Sequence, residues 1–205
     1  MLTHSRILIF DFETTGLSAY RDQIIEIGAV LLEKVDHRYQ VVEELSCLVK
    51  ADRRLDPKLT EIAHITDQML ALQGLNQDIA FEKLFKLYQD ENTLLVAYNI
   101  LFDLGFLKAL FKKFYQPTFE IKNDILDVMA IYKDRHAYPH KLSDAVAFYQ
   151  VDVKSTHRAL DDVKATLEVF KKMSAEKSNL DHYVNKIGYN PKYPPKERYG
   201  HVIYV

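Results

Sequence analysis

The stretch ILIFDFETTGLS, residues 7–18, joins an apolar run to two carboxylates and a Thr-Thr-Gly turn. Residues 7–10 have the composition of a core strand. Because side chains alternate along a strand, Asp11 and Glu13 lie on one face with Cα atoms about 7 Å apart. Carboxylates at this distance repel each other, and a divalent cation relieves the repulsion. The alternative is a pair of strand-end charges in ordinary ion pairs.

The composition of the chain is that of an ordinary globular protein. Its 205 residues are 48% apolar and 27% charged, with a net charge of −2, which fits one sizeable domain with or without a tail. No global basic field indicates a nucleic-acid binder, although a local patch is not excluded. Cys47 is the single cysteine, so no internal disulfide forms. The apolar run at the N-terminus is too short and too acidic for a signal peptide or membrane span, so we expect a cytoplasmic protein.

The pattern along the chain predicts an α/β protein. Three closely spaced strands are expected as an antiparallel meander at 6–13, 23–33 and 39–49. Short helices are expected after Asp56-Pro57, Thr66-Asp67 and Asn76, each with a residue that caps helices. A short buried strand is expected at 94–98, followed by helices at 102–115, 124–135, 141–149 and 157–175. This order predicts a mixed sheet flanked by helices.

The last thirty residues differ from the rest in composition. Residues 176–205 contain five of the thirteen tyrosines, three prolines, and five Lys or Arg against three acidic residues. We therefore divide the chain into a domain at 1–175 and a basic, Tyr- and Pro-rich tail at 176–205. Either the tail packs back on the domain through its tyrosines, or it forms a basic aromatic strip that helps to hold a single-stranded nucleic acid.

Further acidic groups stand at element boundaries later in the chain. AYNILFD places Asp103 where a strand passes into a helix, and HRALDD places His157 and Asp162 at a helix start. Each motif is weak alone, since Arg158 and Asp162 have the spacing of a helix-surface ion pair and Asp161 fits a solvated position. Together, four carboxylates and one histidine suit phosphodiester hydrolysis by two metal ions, in which the histidine accepts a proton from the attacking water.

These segments resemble the three exonuclease motifs of the DEDDh family, which includes the proofreading epsilon subunit of bacterial DNA polymerase III. The motifs are DFETTG, NILFD and HRALDD, and two further stretches match, EIAHITDQML at 61–70 and HKLSDAVAFYQV at 140–151. The resemblance covers about residues 6–173. It implies a ribonuclease-H-like fold with a mixed five-stranded sheet flanked by helices, two Mg²⁺ or Mn²⁺ ions, and release of 5′-mononucleotides from a 3′ end.

The resemblance also implies roles for individual residues. The metal ligands would be Asp11, Glu13, Asp103 and Asp162, where family spacing selects Asp162 over its neighbour Asp161. His157 would be the general base. The substrate-binding residues would be Thr14, Gly16, Leu17, His64, Asn99 and Phe102. Tyr98 departs from the family because a histidine often precedes the asparagine of the second motif.

Three functions remain open at this stage. The leading one is a 3′-5′ exonuclease acting on single-stranded 3′ ends, with DNA preferred to RNA. The second is an RNA exonuclease of the oligoribonuclease or tRNA-trimming type, and the third is a non-catalytic nucleic-acid-binding module that kept the fold. We recognise no Gln-plus-hydrophobic clamp-binding peptide after residue 176, so the sequence gives no support to a polymerase partner. It also leaves the oligomeric state open.

Overall fold

A mixed five-stranded sheet forms the centre of the molecule. The computed structural model describes residues 2–153, 156–188 and 198–205. The strand order is β3-β2-β1-β4-β5, and the strands are β1 (Arg6–Thr14), β2 (Ile24–Val35), β3 (Arg38–Leu48), β4 (Leu94–Ala97) and β5 (Ile125–Asp127). The first three strands form the antiparallel meander, whereas β4 and β5 run parallel to β1. The predicted α/β class with a mixed five-stranded sheet is therefore confirmed.

Seven helices surround the sheet in the described part of the chain. They are α1 (Pro57–Ala63), α2 (Asp67–Gln73), α3 (Gln77–Tyr88), α4 (Ile100–Phe114), α5 (Val128–Arg135), α6 (Leu142–Phe148) and α7 (Ala159–Glu176). The predicted caps are present at the first two helices. The Asp56 carboxylate accepts a hydrogen bond from the Lys58 N–H, and the Thr66 hydroxyl accepts one from the Met69 N–H. None of these helices is both long enough and apolar enough to cross a membrane.

The alternation of side chains along β1 explains the position of its carboxylates. Leu8, Phe10 and Phe12 pack against α3 and α4 on one face of the sheet. Ile7 and Ile9 point to the other face and join the core formed with α5 and α7. Asp11 and Glu13 continue this second face toward the C-terminal end of the strand, because residues two apart share a face. The apolar half of the strand thus fixes the direction of its acidic half.

One predicted helix is partly wrong. Residues 124–135 were expected to form a single helix, but residues 125–127 form β5 and only Val128–Arg135 are helical. The strand pairs with β4, and the Asp127 carboxylate then caps α5 by accepting a hydrogen bond from the Met129 N–H. Three residues are too few to show a strand period, so the local sequence resembles a longer helix.

The residues that follow α7 contact the sheet. The short strands β6 (Lys186–Ile187) and β7 (Ile203–Tyr204) pair in parallel. Asn185 bonds to Ile125 of β5 through both its N–H and its side chain. Ile187 is fully buried in the core beside α4. The division of the chain at 175 stays a prediction, and the tail residues 189–197, with Tyr189, Tyr193 and all three tail prolines, lie outside the described residues.

Candidate active site

Three carboxylates converge at the C-terminal end of β1. Oxygen atoms of Asp11, Glu13 and Asp162 lie within 4.8 Å of one another. Asp11 and Glu13 come from the acidic end of β1, and Asp162 comes from the first turn of α7, which packs against both β1 and β2. A group of this kind can hold a metal ion, because hard divalent cations prefer carboxylate oxygens.

The fourth predicted carboxylate, Asp103, lines the same cleft from the first turn of α4. Its side chain is 2% exposed and accepts a hydrogen bond of 3.2 Å from the Phe12 N–H. This bond ties the start of α4 to the middle of the acidic motif on β1. Asp103 is therefore held beside Asp11, although it does not belong to the group of described residues whose oxygens lie within 4.8 Å.

The neighbouring residues Asp161 and Asp162 have different environments. Asp162 is 9% exposed, accepts a hydrogen bond from the Thr156 N–H and faces the other carboxylates. Asp161 instead accepts a hydrogen bond of 2.6 Å from the Thr156 hydroxyl. Successive helical residues point about 100° apart, so only one of the two can face the cleft.

The protonation behaviour of the cluster reflects its burial. Burial, followed by repulsion from Asp162 and Glu26, raises the pKa of Asp11 to about 8. Burial and repulsion from Asp11 likewise raise the pKa of Glu13 to about 8, and the same two causes raise the pKa of Asp103 well above its ordinary value. The cluster thus holds protons at neutral pH when it lacks another positive charge, and divalent cations would take their place. An all-oxygen, mutually repelling donor set of which Asp11 and Glu13 stay partly accessible fits such ions.

A buried ion pair that the sequence did not predict lies next to the acidic cluster, between β2 and the start of α7. Glu26 lies opposite Glu13 in the β1–β2 register and is 1% exposed. Its carboxylate accepts hydrogen bonds from Arg158 Nε at 3.1 Å and Nη2 at 2.7 Å, and from the Ala159 N–H at 3.0 Å. The alternative that Arg158 and Asp162 form an ion pair on the helix surface is therefore wrong, because the Arg158 guanidinium binds Glu26 of β2. The pair fixes the first residue of α7 against the sheet.

His157 directly precedes this ion pair and lines the cleft. Its backbone has a φ of 56°, a left-handed conformation that is uncommon for a residue other than glycine. The imidazole is exposed on the open side of the cleft. Because Arg158 and Ala159 are both bonded to Glu26, the position of His157 is set by the same contacts that hold α7.

Comparisons with known proteins identify the family of the chain. A family model described as "Exonuclease" matches residues 8–170. The chain belongs to the exonuclease family. The epsilon subunit of DNA polymerase III from Treponema pallidum is 33% identical over 189 residues, which cover 89% of this chain and 83% of the relative. The PolC-type DNA polymerase III of Clostridium perfringens is 34% identical over 82% of this chain, but the match spans only 11% of that much longer protein.

Solved exonucleases share the fold. Escherichia coli exonuclease I in complex with a dT13 oligonucleotide superposes with a TM-score of 0.72 at 21% sequence identity, over 87% of this chain and 43% of that one. At this identity the likeness concerns the fold alone. The family match makes the chain a nuclease, and the predicted relationship to the epsilon subunit is confirmed.

Two of the six predicted substrate-binding residues of this exonuclease line the cleft, and four are absent from its described lining. Asn99 and Phe102 line a cleft of about 1020 Å³ together with the four carboxylates and His157. The described lining of that cleft does not include Thr14, Gly16, Leu17 or His64. The buried Thr14 hydroxyl donates to the Gly16 carbonyl at 2.7 Å, the Leu17 side chain is 86% exposed, and His64 ends α1. All six roles in substrate binding stay predictions.

Part of the cleft lining consists of residues that the sequence did not assign to the site. They come from α5, from the segment between α5 and α6, and from the start of α6: Lys133, Tyr138, His140, Lys141, Leu142 and Ser143. The only available signal was the matching stretch at 140–151, which indicated the family but no role. Their position depends on how α5 and α6 pack beside β4, and no local pattern expresses that packing.

Proposed function

We propose that this exonuclease removes 5′-mononucleotides from the 3′ end of single-stranded DNA, with two Mg²⁺ or Mn²⁺ ions held by its four cleft carboxylates. The observation that carries the proposal is the convergence of Asp11, Glu13 and Asp162 within 4.8 Å, in one cleft with Asp103 and His157. The names of the relatives support the choice of DNA. One is a DNA polymerase III epsilon subunit, and exonuclease I is described as bound to dT oligonucleotides.

The side chains have distinct tasks in this proposal. Asp11, Glu13, Asp103 and Asp162 would hold the ions, which when bound supply positive charge to the scissile phosphate and its leaving oxygen. His157, an exposed residue of the cleft lining, accepts the proton of the attacking water, a general-base role that an imidazole can perform. The Glu26–Arg158 pair holds the His157 backbone while this occurs. Association with a bacterial DNA polymerase belongs to the proposal because the Treponema relative is named as a polymerase subunit.

Two adjacent aspartates provide a matched test. Asp162→Asn removes a carboxylate of the cluster, whereas Asp161→Asn changes the residue beside it, outside the cluster. We expect Asp162→Asn to lower kcat at least about 100-fold, the scale at which loss of one transition-state charge contact acts, and Asp161→Asn to stay near wild type. Activity is followed as shortening of a 5′-labelled oligonucleotide with Mg²⁺ or Mn²⁺.

The substrate choice is tested in the same assay. DNA and RNA strands of one sequence are compared with each metal, and the label position reports the direction of digestion. Faster cleavage of RNA would replace the DNA proposal with an RNA exonuclease. Equal effects of Asp161→Asn and Asp162→Asn, or no metal-dependent cleavage at all, would contradict the assignment of the site.

A further inference from the structure

The lining of the cleft contains acidic and basic residues that come from different elements. The carboxylates come from β1, α4 and α7. The region from α5 to the start of α6 presents two lysines, a histidine and a hydroxyl group, namely Lys133, His140, Lys141 and Ser143; we refer to these four residues as the basic wall. The proposed hydrolysis uses the carboxylates and His157, so the basic wall has no role in it.

The basic wall is fixed to the strand that leads into the active site. The Tyr98 hydroxyl, directly after β4, donates to the His140 carbonyl at 2.9 Å and lies 3.1 Å from the Lys141 carbonyl. Burial raises the pKa of Tyr98 above its ordinary value, so the hydroxyl stays a donor. The Lys141 N–H in turn donates to Asp144 at 2.7 Å. Tyr98 directly precedes Asn99 of the cleft lining, so its contacts join the backbone of His140 and Lys141 to the start of α4.

Lys133 and Lys141 are the lysines in the described lining of the cleft, and like several other described lysines they form no ion pair with a carboxylate. Ion pairs with glutamates involve Lys86, Lys108, Lys112, Lys122, Lys164 and Lys171. Within the described residues, Lys133 and Lys141 have no carboxylate within ion-pair distance, and both are exposed toward the cleft. Two cations that face a carboxylate-lined cleft without pairing can bind an anionic ligand there.

We propose that the basic wall binds the backbone phosphates on the 5′ side of the scissile bond, and that Tyr98 positions it for this contact. The inference rests on the proposed function and specifies its substrate as an oligonucleotide with at least one internal phosphate beyond the terminal one. The cleft, at about 1020 Å³, lies at the upper end of the range of pockets that hold one drug-sized ligand. A terminal nucleotide therefore leaves room for the next phosphate.

Two substrates distinguish phosphate binding by the basic wall from the hydrolysis step. The p-nitrophenyl ester of thymidine 5′-monophosphate has one phosphodiester and no flanking phosphate, whereas a dT oligonucleotide has several. For Lys133→Ala/Lys141→Ala we expect a KM about tenfold higher on the oligonucleotide, a nearly unchanged kcat, and unchanged hydrolysis of the ester. The slope of log(kcat/KM) against log[salt] should become shallower by about 0.7 for each lost phosphate contact.

Lys122→Ala is the matched control. Lys122 pairs with Glu91; the two residues precede β5 and β4, at the end of the sheet away from the site. It should leave both substrates and the salt slope unchanged. Tyr98→Phe keeps the ring but removes the hydroxyl, and we expect a severalfold higher KM on the oligonucleotide alone.

Binding is measured separately from turnover. The Kd of a fluorescent dT oligonucleotide is determined by anisotropy with Mn²⁺ in an Asp162→Asn background, which slows digestion at least about 100-fold. The two lysine substitutions should raise this Kd about tenfold. An unchanged Kd and salt slope, or an equal loss on the ester, would overturn the inference. If the wild-type protein hydrolyses neither substrate but the lysine substitutions still weaken binding, the proposed function fails while the phosphate contact stands.

Discussion

The acidic cluster predicts that removing one of its carboxylates stabilises the metal-free protein. Asp11→Asn keeps the shape of the side chain and removes its charge. The folded state holds the Asp11 proton up to about pH 8, whereas the unfolded chain releases it near pH 4. Between these values the folded state binds more protons, so the stability of the metal-free protein falls as the pH rises from about 4 to 8.

The size of the effect follows from the pKa difference. The change from 3.8 to about 8 corresponds to ~6 kcal/mol for a group acting alone. Because Asp11 titrates together with its neighbouring carboxyls, only part of this energy belongs to Asp11 alone, and we expect the substitution to stabilise the protein by about 2–3 kcal/mol at pH 8.5. For a chain of this size, that gain raises Tm by about 5–10 °C. At pH 5, only about one unit above the pKa of the unfolded carboxyl, less than about a third of this cost has developed, so the substitution should stabilise the protein by less than about 1 kcal/mol.

Thermal unfolding in EDTA at pH 5 and pH 8.5 measures this prediction. Asp78→Asn is the control, since Asp78 is an exposed acidic residue in the first turn of α3 and its loss should lower stability by a few tenths of a kcal/mol. Mn²⁺ should raise the Tm of the wild type at pH 8.5 much more than that of Asp11→Asn. If Asp11→Asn destabilises the metal-free protein equally at both pH values, the electrostatic account of the cluster is wrong.

Three further tests concern the Glu26–Arg158 pair, the glycine at position 28 and the cysteine at position 47. Arg158→Met leaves the buried Glu26 without its partner and should lower the free energy of unfolding by about 3 kcal/mol in urea, and Glu26→Gln in addition should restore part of the loss. Gly28→Ala places a Cβ 2.3 Å from backbone at the start of α7 and should cost about 3 kcal/mol, whereas Gly105→Ala, with its nearest neighbour 3.5 Å away, should be neutral or stabilising. Burial raises the pKa of the Cys47 thiol to about 11, so its reaction with a disulfide reagent at pH 8 should be roughly 100-fold slower in the folded protein than in urea; equal rates would contradict this.

The elements with strong local patterns were predictable from the sequence. The observed strands β1, β2 and β3 differ from the predicted ranges by one or two residues, because turns interrupt long apolar runs at residues 21–22 and 36–37. The caps at Asp56 and Thr66 are chemical signals confined to a few residues. Asp11 and Glu13 were predictable for the same reason, since their common face follows from strand geometry and the apolar residues that precede them.

The features that failed or were missed depend on contacts between distant segments. The three residues of β5 form a strand because β4 pairs with them, and Asp127 then caps the following helix. Arg158 pairs with Glu26, which is 132 residues away in sequence. The local sequence could not show this contact, and it was equally consistent with an ion pair between Arg158 and Asp162 on the helix surface. The basic wall similarly requires the Tyr98 hydroxyl to meet two carbonyls more than forty residues later.

The proposal of two ions rather than one rests on the charges around the site. Five carboxylates lie together at this end of the sheet, and the Arg158 guanidinium compensates the one that belongs to Glu26. The other four are Asp11, Glu13, Asp103 and Asp162. Together they carry a charge of −4 when ionised, which equals the charge of two divalent cations in magnitude. A single divalent ion would leave two negative charges in a site where burial already raises carboxyl pKa values to about 8, and a phosphate would then approach against that charge. Titration of the wild type with Mn²⁺ at pH 8 should therefore saturate at two ions per chain. Asp162→Asn should bind one ion if Asp162 is essential to the second. A stoichiometry of one in the wild type without substrate would contradict two preformed sites and would mean that the substrate phosphate completes the second.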